Sequence, residues 1–183
     1  MDKRVEVGKE KYTQHHREIV TISYDLLKHK SFINISFHEI SKFTSISKTT
    51  IYDHFYSDIN LLFLETLLLY QKNLISTFKN LSDPKKNIIN IYESIFNFAN
   101  VDPLLFKNMH MISINLNTLN QKKYKYKSKI YKIIKNNYQE LTIENYFLTH
   151  WSLATLLCLQ IQNSDFDFSI QKKLFFKDLK KLF

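Results

Sequence analysis

Apolar residues recur at intervals of three and four along most of the chain, which is the spacing of one face of an α-helix. The first such stripe covers residues 12–30 and predicts a long helix. Ser36 and Glu39 then form a capping box, in which each side chain reaches the other residue's backbone N–H, and this predicts a short helix. Ser47 is placed to cap a second short helix. Residues 1–11 are charged and aperiodic, so we expect a flexible arm there.

The rest of the chain continues the helical pattern. Asp83-Pro84 and Asp102-Pro103 each join a capping residue to a proline that suits the first helical position. The pattern predicts further helices at residues 58–80, 84–100, 103–118, 122–139, 143–162 and 168–182. We therefore expect an all-α protein of about nine helices, with three in an N-terminal unit at 12–57 and six in a larger body at 58–183.

Composition supports the all-α class. The chain has 183 residues and is 44% hydrophobic, which is enough to form a core. It contains one glycine and two prolines. Tight hairpins and Gly-rich phosphate loops need these residues, so the composition argues against β-sandwiches, dinucleotide-binding domains and P-loop enzymes.

Charge and cysteine content suggest the partners and the compartment. The formal net charge of +9 favours an acidic partner such as nucleic acid. The lysine-rich run at 122–135 is either a solvated helix face or a non-specific contact with a polyanion. The single cysteine, Cys158, cannot form an internal disulfide, which suits a reducing cytoplasm. No signal peptide or run long enough to span a bilayer is predicted.

No chemistry of an enzyme is evident in the sequence. There is no arrangement of nucleophile and base, no phosphate loop and no signature pair of carboxylates. The seven histidines form no metal-binding motif. We expect no enzymatic activity, no cofactor and no metal site.

Two short helices that follow a longer one predict a helix-turn-helix. Ile46, Ile51 and Phe55 suit the buried face of the second short helix. The remaining side chains are short or planar hydrogen-bonding groups that suit base edges and phosphates. They are predicted on the outer face and comprise Lys48, Thr49, Thr50, Tyr52, Asp53 and His54.

Asp53 leaves three alternatives open. Its carboxylate can accept a hydrogen bond from cytosine N4, repel a phosphate and so sharpen specificity, or point to solvent.

The residues of this segment carry a family resemblance. The stretch Ile46-Ser47-Lys48-Thr49-Thr50-Ile51-Tyr52-Asp53-His54-Phe55 has Ile40-Ser41 before it and Leu61-Leu62 after it. It resembles the helix-turn-helix core of the TetR (tetracycline-repressor-like) family of bacterial transcription regulators. The resemblance covers residues 12–65, and the rest of the chain matches only in length, helical character and organisation.

The resemblance implies a ligand-responsive repressor that binds palindromic operator DNA as a homodimer. It implies that Lys48, Thr49 and Thr50 lie near base edges or phosphates. It also implies that Tyr52 and His54 bind phosphate, and that His38 contacts a base or a phosphate.

The resemblance further implies a small-molecule cavity among the middle helices and a four-helix dimer interface formed by the last two helices of each protomer. The candidate pocket residues are Tyr92, Phe96, Phe106, Met109, His110, Met111 and Trp151. The candidate interface residues are Leu156, Leu157, Leu159, Leu174, Phe175 and Leu179. For both groups plain hydrophobic core is the alternative.

One departure from the family pattern motivates a second hypothesis. Asp58 stands where the family usually has a phosphate-binding lysine. A carboxylate at that position repels phosphate, so the alternative is a TetR-like protein with weakened DNA binding that acts through a partner protein.

Overall fold

The computed structural model describes residues 3–77, 84–118 and 168–182. Every regular element in these segments is helical, which confirms the all-α class. There are seven α-helices and one 3₁₀-helix. They are α1 (Lys3–His29), the 3₁₀-helix (Phe32–Asn34), α2 (Phe37–Ser41), α3 (Lys48–His54), α4 (Ile59–Ser76), α5 (Pro84–Val101), α6 (Pro103–Thr118) and α7 (Phe168–Leu182). The helices predicted at 122–139 and 143–162 lie outside the described residues, so the predicted count of about nine is not confirmed.

The first helix corrects one expectation. Residues 3–11, predicted as part of a flexible arm, form the first turns of α1. Side chains 6–14 are exposed, so this part of the helix has no apolar stripe by which periodicity would reveal it. Gly8 lies here with open space around the position of a Cβ, so its cost is only the roughly 1 kcal/mol of an exposed helical glycine.

The caps predicted at Ser36 and Ser47 are present, and Asp58 caps the start of α4. The Ser36 hydroxyl accepts from the Glu39 N–H at 3.2 Å, and the Ser47 hydroxyl accepts from the Thr50 N–H at 3.1 Å. The Asp58 carboxylate accepts from the Asn60 N–H at 3.0 Å. Each of these bonds satisfies one backbone donor of a helix's first turn and fixes where that helix begins.

Glu39 does not complete the capping box. Its carboxylate instead accepts from the ammonium of Lys30 at 2.6 Å and from that of Lys42 at 3.2 Å. These two hydrogen bonds hold the pKa of Glu39 below its ordinary value. Lys30, which follows α1, is thereby tied to the middle of α2, and Lys42 at the end of α2 shares the same carboxylate.

One continuous hydrophobic core runs through both the N-terminal unit and the body. Helix α1 packs against α2, α4 and α6, while α5 packs against α4, α6 and α7. Residues from α1 to α6 contribute buried side chains to the same cluster, and Phe175 and Phe176 of α7 pack against it. Among the described helices, none is both long and apolar enough to cross a membrane.

A buried asparagine joins α6 to the end of α1. Asn108 is only 2% exposed. Its amide nitrogen donates to the carbonyl oxygens of Leu27 at 2.7 Å and Lys30 at 2.8 Å, and its carbonyl oxygen accepts from the Phe32 N–H at 3.1 Å. The last carbonyls of α1, which have no partner within the helix, are thus satisfied by a side chain of the body.

Candidate nucleic-acid interface

The buried face of the helix-turn-helix is the one that the sequence predicts. Ile46 precedes α3 and is 4% exposed, while Ile51 and Phe55 are 0% and 2% exposed. The Phe55 ring stacks on Phe37 of α2, with ring centroids 6.4 Å apart. These apolar contacts, with the Ser47 cap, fix the position of α3 against α1 and α2.

The opposite face of α3 carries the predicted polar surface. Lys48, Thr49 and Asp53 are exposed, and Thr50 is half-buried. The Thr50 hydroxyl lies 2.9 Å from the Ser47 hydroxyl, so it supports the start of the helix. His38, the predicted contact on α2, is also exposed.

Tyr52 lies between the two faces. It is half-buried, and the edge of its ring meets Phe37 at a centroid distance of 4.9 Å. The Lys48 ammonium lies 5.4 Å from the Tyr52 ring centroid, within the range of a cation–π contact. The tyrosine therefore positions the one lysine of α3.

His54 contradicts the expected outer-face placement, because it is 5% exposed. Positions three apart share a helix face, and His54 follows Ile51 by three. Its ring lies 4.1 Å from Tyr12, 5.6 Å from His16 and 6.3 Å from His15, measured between ring centroids. The sequence analysis placed His54 on the outer face because its side chain is polar. The helical register turns its ring towards α1, where Tyr12, His15 and His16 cover it.

Burial lowers the pKa of His54 below its ordinary value of 6.5. The positive charges that His16 and His15 gain on protonation lower it further, whereas Asp53 opposes the shift. His54 is therefore a neutral imidazole under α1 at pH 7. A contact with phosphate would require it to leave that site.

Helix α3 ends in an unusual left-handed corner. The Ser57 N–H donates to the Tyr52 carbonyl at 2.9 Å, and Tyr56 and Ser57 have φ of 50° and 59°. This is a Schellman-type end in which Tyr56 takes the position usually held by glycine. The Tyr56 side chain is 80% exposed. No local signal predicts this corner, because neither residue is a glycine or an asparagine.

The corner leads to a stability prediction. Left-handed backbone is unfavourable for a residue with a Cβ, and Tyr56→Gly removes that cost. Glycine loses more chain entropy on folding, which offsets part of the gain. The net effect should be a stabilisation of roughly 0.5–1 kcal/mol. Urea denaturation measures this change. Tyr56→Asn, which tolerates the conformation better than tyrosine, should fall between the two. A loss of stability in Tyr56→Gly would mean that the tyrosine ring itself supports the fold.

The predicted pocket residues separate in the structure. Tyr92, Phe96, Phe106 and Met109 belong to the hydrophobic core and are each no more than 4% exposed. His110 is half-buried, and burial lowers its pKa. Met111 is 42% exposed, so it lies on the surface of α6 rather than inside the body. Trp151 is outside the described residues.

The predicted interface residues are only partly described. Leu174 is 46% exposed, and Ile170, one turn earlier, is 53% exposed. Phe175 packs within its own chain, with its ring centroid 5.8 Å from that of Tyr92. The side chain of Leu179 and the residues Leu156, Leu157 and Leu159 lie outside the described part.

Comparison with known proteins adds no relative to this picture: the chain matches no protein-family model and no curated protein sequence.

Proposed function

We propose that this chain is a transcriptional regulator, a repressor, that binds operator DNA through α3. The observation that carries the proposal is the arrangement of α2 and α3. Helix α3 is capped by Ser47, buries Ile51 and Phe55, and exposes Lys48 and Thr49 in its first turn. A recognition helix needs one face to pack and an N-terminal polar face to enter the major groove.

The exposed side chains suit distinct contacts with DNA. The Lys48 ammonium reaches a phosphate or a guanine edge, and the Thr49 side chain reaches a phosphate oxygen or a thymine methyl group. Asp53 lies one turn after Thr49 on the same face of α3, and its carboxylate accepts a hydrogen bond from N4 of a cytosine in the operator. His54 is left out of this set because it is buried.

Lys48→Ala tests the proposed phosphate contact. Loss of one phosphate contact per protomer should lower DNA affinity and should reduce the slope of log affinity against log salt by about 0.9 for each contact. Titration by fluorescence anisotropy at several salt concentrations measures both quantities. Lys72→Ala, at an exposed lysine of α4, is the matched control and should change neither. Equal slopes for Lys48→Ala and the unmodified chain would contradict the contact.

The proposed DNA-binding form is a homodimer that uses α7. Ile170 and Leu174 lie one turn apart on this helix and are 53% and 46% exposed, so they form a half-exposed apolar strip. Two-fold symmetry of the protein then accounts for a palindromic operator.

Charge on this strip should separate the protomers. In the double variant Ile170→Lys, Leu174→Lys, sedimentation should give a monomer at micromolar concentration. Lysines that face one another across the interface repel, and removing their charges from water is costly. Val101→Lys makes the same kind of change at an apolar residue that is 78% exposed on α5, and it should leave the dimer intact. A double variant that sediments as a dimer would place the interface elsewhere.

An effector is part of the same proposal. Four of the predicted pocket residues, Tyr92, Phe96, Phe106 and Met109, are packed in the core, so a small apolar molecule has to separate α5 from α6 to reach them. Such a movement of α6 also moves Asn108, whose amide bonds the end of α1. This connection gives the body a direct means of displacing the N-terminal unit.

A second candidate function is favoured by the surface around α3. Phe43, in the turn before α3, is 53% exposed, and Tyr56, just after α3, is 80% exposed. Asp53, on α3 itself, is an exposed acidic residue. Exposed aromatic rings suit a protein partner better than a phosphate backbone, and an exposed carboxylate repels phosphate. Phe43→Ser with Tyr56→Ser should abolish binding to such a partner, whereas Lys48→Ala should abolish it only if the partner is acidic.

A further inference from the structure

Four aromatic side chains join the recognition helix to α1. They are Tyr12, His15 and His16 of α1 and His54 of α3, and we call them the histidine cluster. His54 lies over the α1 positions 12, 15 and 16, which are neighbours on one helix face. The closest contact is the tilted pair formed by His54 and Tyr12, with ring centroids 4.1 Å apart. His16 also stacks on Phe55, with ring centroids 4.9 Å apart.

Two nitrogens of the cluster are buried without a hydrogen-bond partner. They are Nδ1 of His16 and Nδ1 of His54. A buried polar atom without a partner is unusual and is often associated with a functional role. Among the described residues, no three histidine, cysteine or acidic side chains are arranged to hold a metal ion. An imidazole nitrogen that lacks a hydrogen-bond partner is one that can take up a proton.

We infer that the histidine cluster is a proton-sensitive latch, which holds α3 against α1 while it is neutral and releases α3 when it is protonated. The effect on DNA rests on the function proposed above. The effect on the fold does not, because the latch lies within the described N-terminal unit.

The direction of the pH effect follows from the charges that face His54. His15 and His16 of α1 face it and lower its pKa, while Asp53 of its own helix is the one acidic group of the described residues that acts on it. Asp53 is exposed and therefore screened. Burial and the two histidines lower the pKa of His54, so the unfolded chain takes up this proton at higher pH than the folded chain. Stability therefore falls as the pH drops below the ordinary value of 6.5 and stops falling below the folded pKa.

Acid should consequently weaken DNA binding, which is the opposite of the general electrostatic expectation. In general, the positive charge that exposed histidines gain in acid attracts phosphate more strongly. A protein whose histidines act only through charge binds DNA more tightly at low pH. A protein in which His54 positions the recognition helix binds it less tightly.

The experiment compares the full chain with His54→Phe at about pH 7.5 and pH 5.5, which bracket the ordinary histidine range. Phenylalanine keeps a planar ring beside Tyr12 and Phe55 but cannot take up a proton. Three quantities are measured: the titration of His54 by NMR, the urea midpoint, and the affinity for operator DNA. His29→Gln, at an exposed histidine near the end of α1, is the matched control. His54→Gln serves as a second variant if His54→Phe does not fold.

The latch predicts a His54 titration below pH 6.5 and a fall in the urea midpoint of the unmodified chain from about pH 7.5 to 5.5. It also predicts a loss of DNA affinity over the same range, because protonation favours the arrangement in which α3 is released from α1. Both losses should shrink in His54→Phe and persist in His29→Gln.

Other outcomes overturn the inference in separable ways. A His54 titration at or above 6.5, or equal changes in the urea midpoint for the unmodified chain and His54→Phe, excludes the latch itself. A His54-dependent change in stability without DNA binding at either pH retains the latch and rejects the proposed function. DNA affinity that rises in acid shows that the latch does not control the recognition helix.

Discussion

Asn108→Leu should lower the free energy of unfolding by about 3 kcal/mol, since it removes three hydrogen bonds of a buried side chain, worth about 1 kcal/mol each. Leucine has a similar size, so little of the loss comes from a cavity. The carbonyls of Leu27 and Lys30 and the N–H of Phe32 lose the partner that Asn108 provides. Urea denaturation at fixed protein concentration measures the change, because the proposed dimer would make stability depend on concentration.

Two further variants make this result specific. Asn97→Leu, at an exposed position of α5, makes the same change outside the core and should alter stability by no more than about 0.5 kcal/mol. Asn108→Asp keeps an acceptor for the Phe32 N–H but places a carboxylate beside two carbonyl oxygens, so it should destabilise at least as much as leucine. An Asn108→Leu protein as stable as the unmodified chain would show that the bonds between α6 and α1 contribute nothing to folding.

Lys48→Glu should reduce affinity for operator DNA about a hundredfold. Charge reversal replaces an attraction with a repulsion in each protomer, and a change of roughly 1.4 kcal/mol per protomer corresponds to tenfold in affinity at each half-site. Because Lys48 is exposed, the fold should remain as stable as before. Anisotropy titration with operator DNA, together with a urea curve, separates the two effects.

The control for this variant is Lys72→Glu, which makes the same change of net charge on α4. If both variants weaken binding equally, the effect arises from the overall charge of the chain and not from α3. If Lys48→Glu binds as well as the unmodified chain, the proposed docking of α3 is incorrect.

Local sequence signals predicted the parts of the fold that are determined locally. The proline positions give the starts of α5 and α6, and Ser36 and Ser47 give those of α2 and α3. The same signals predicted the buried Ile51 and Phe55, because a face of α3 made of apolar residues has to pack.

Two of the features that the sequence did not predict depend on contacts between distant residues, and a third leaves no local signal. His54 is polar and was expected outside, but its burial depends on Tyr12 and His16, some forty residues earlier. Asn108 has no local pattern that marks it, because its partners belong to the end of α1. Residues 3–11 have no apolar stripe, so their helix leaves no periodic signal.

Selection of DNA by the full chain from a library of random duplexes tests the central claim most directly. The account predicts enrichment of an inverted repeat whose half-sites lie about one helical turn, roughly 34 Å, apart. Binding to the selected sequence should weaken in Lys48→Ala but not in Lys72→Ala. A library that yields no enriched sequence, or an enriched sequence that Lys48→Ala binds as tightly as the unmodified chain, would contradict the account.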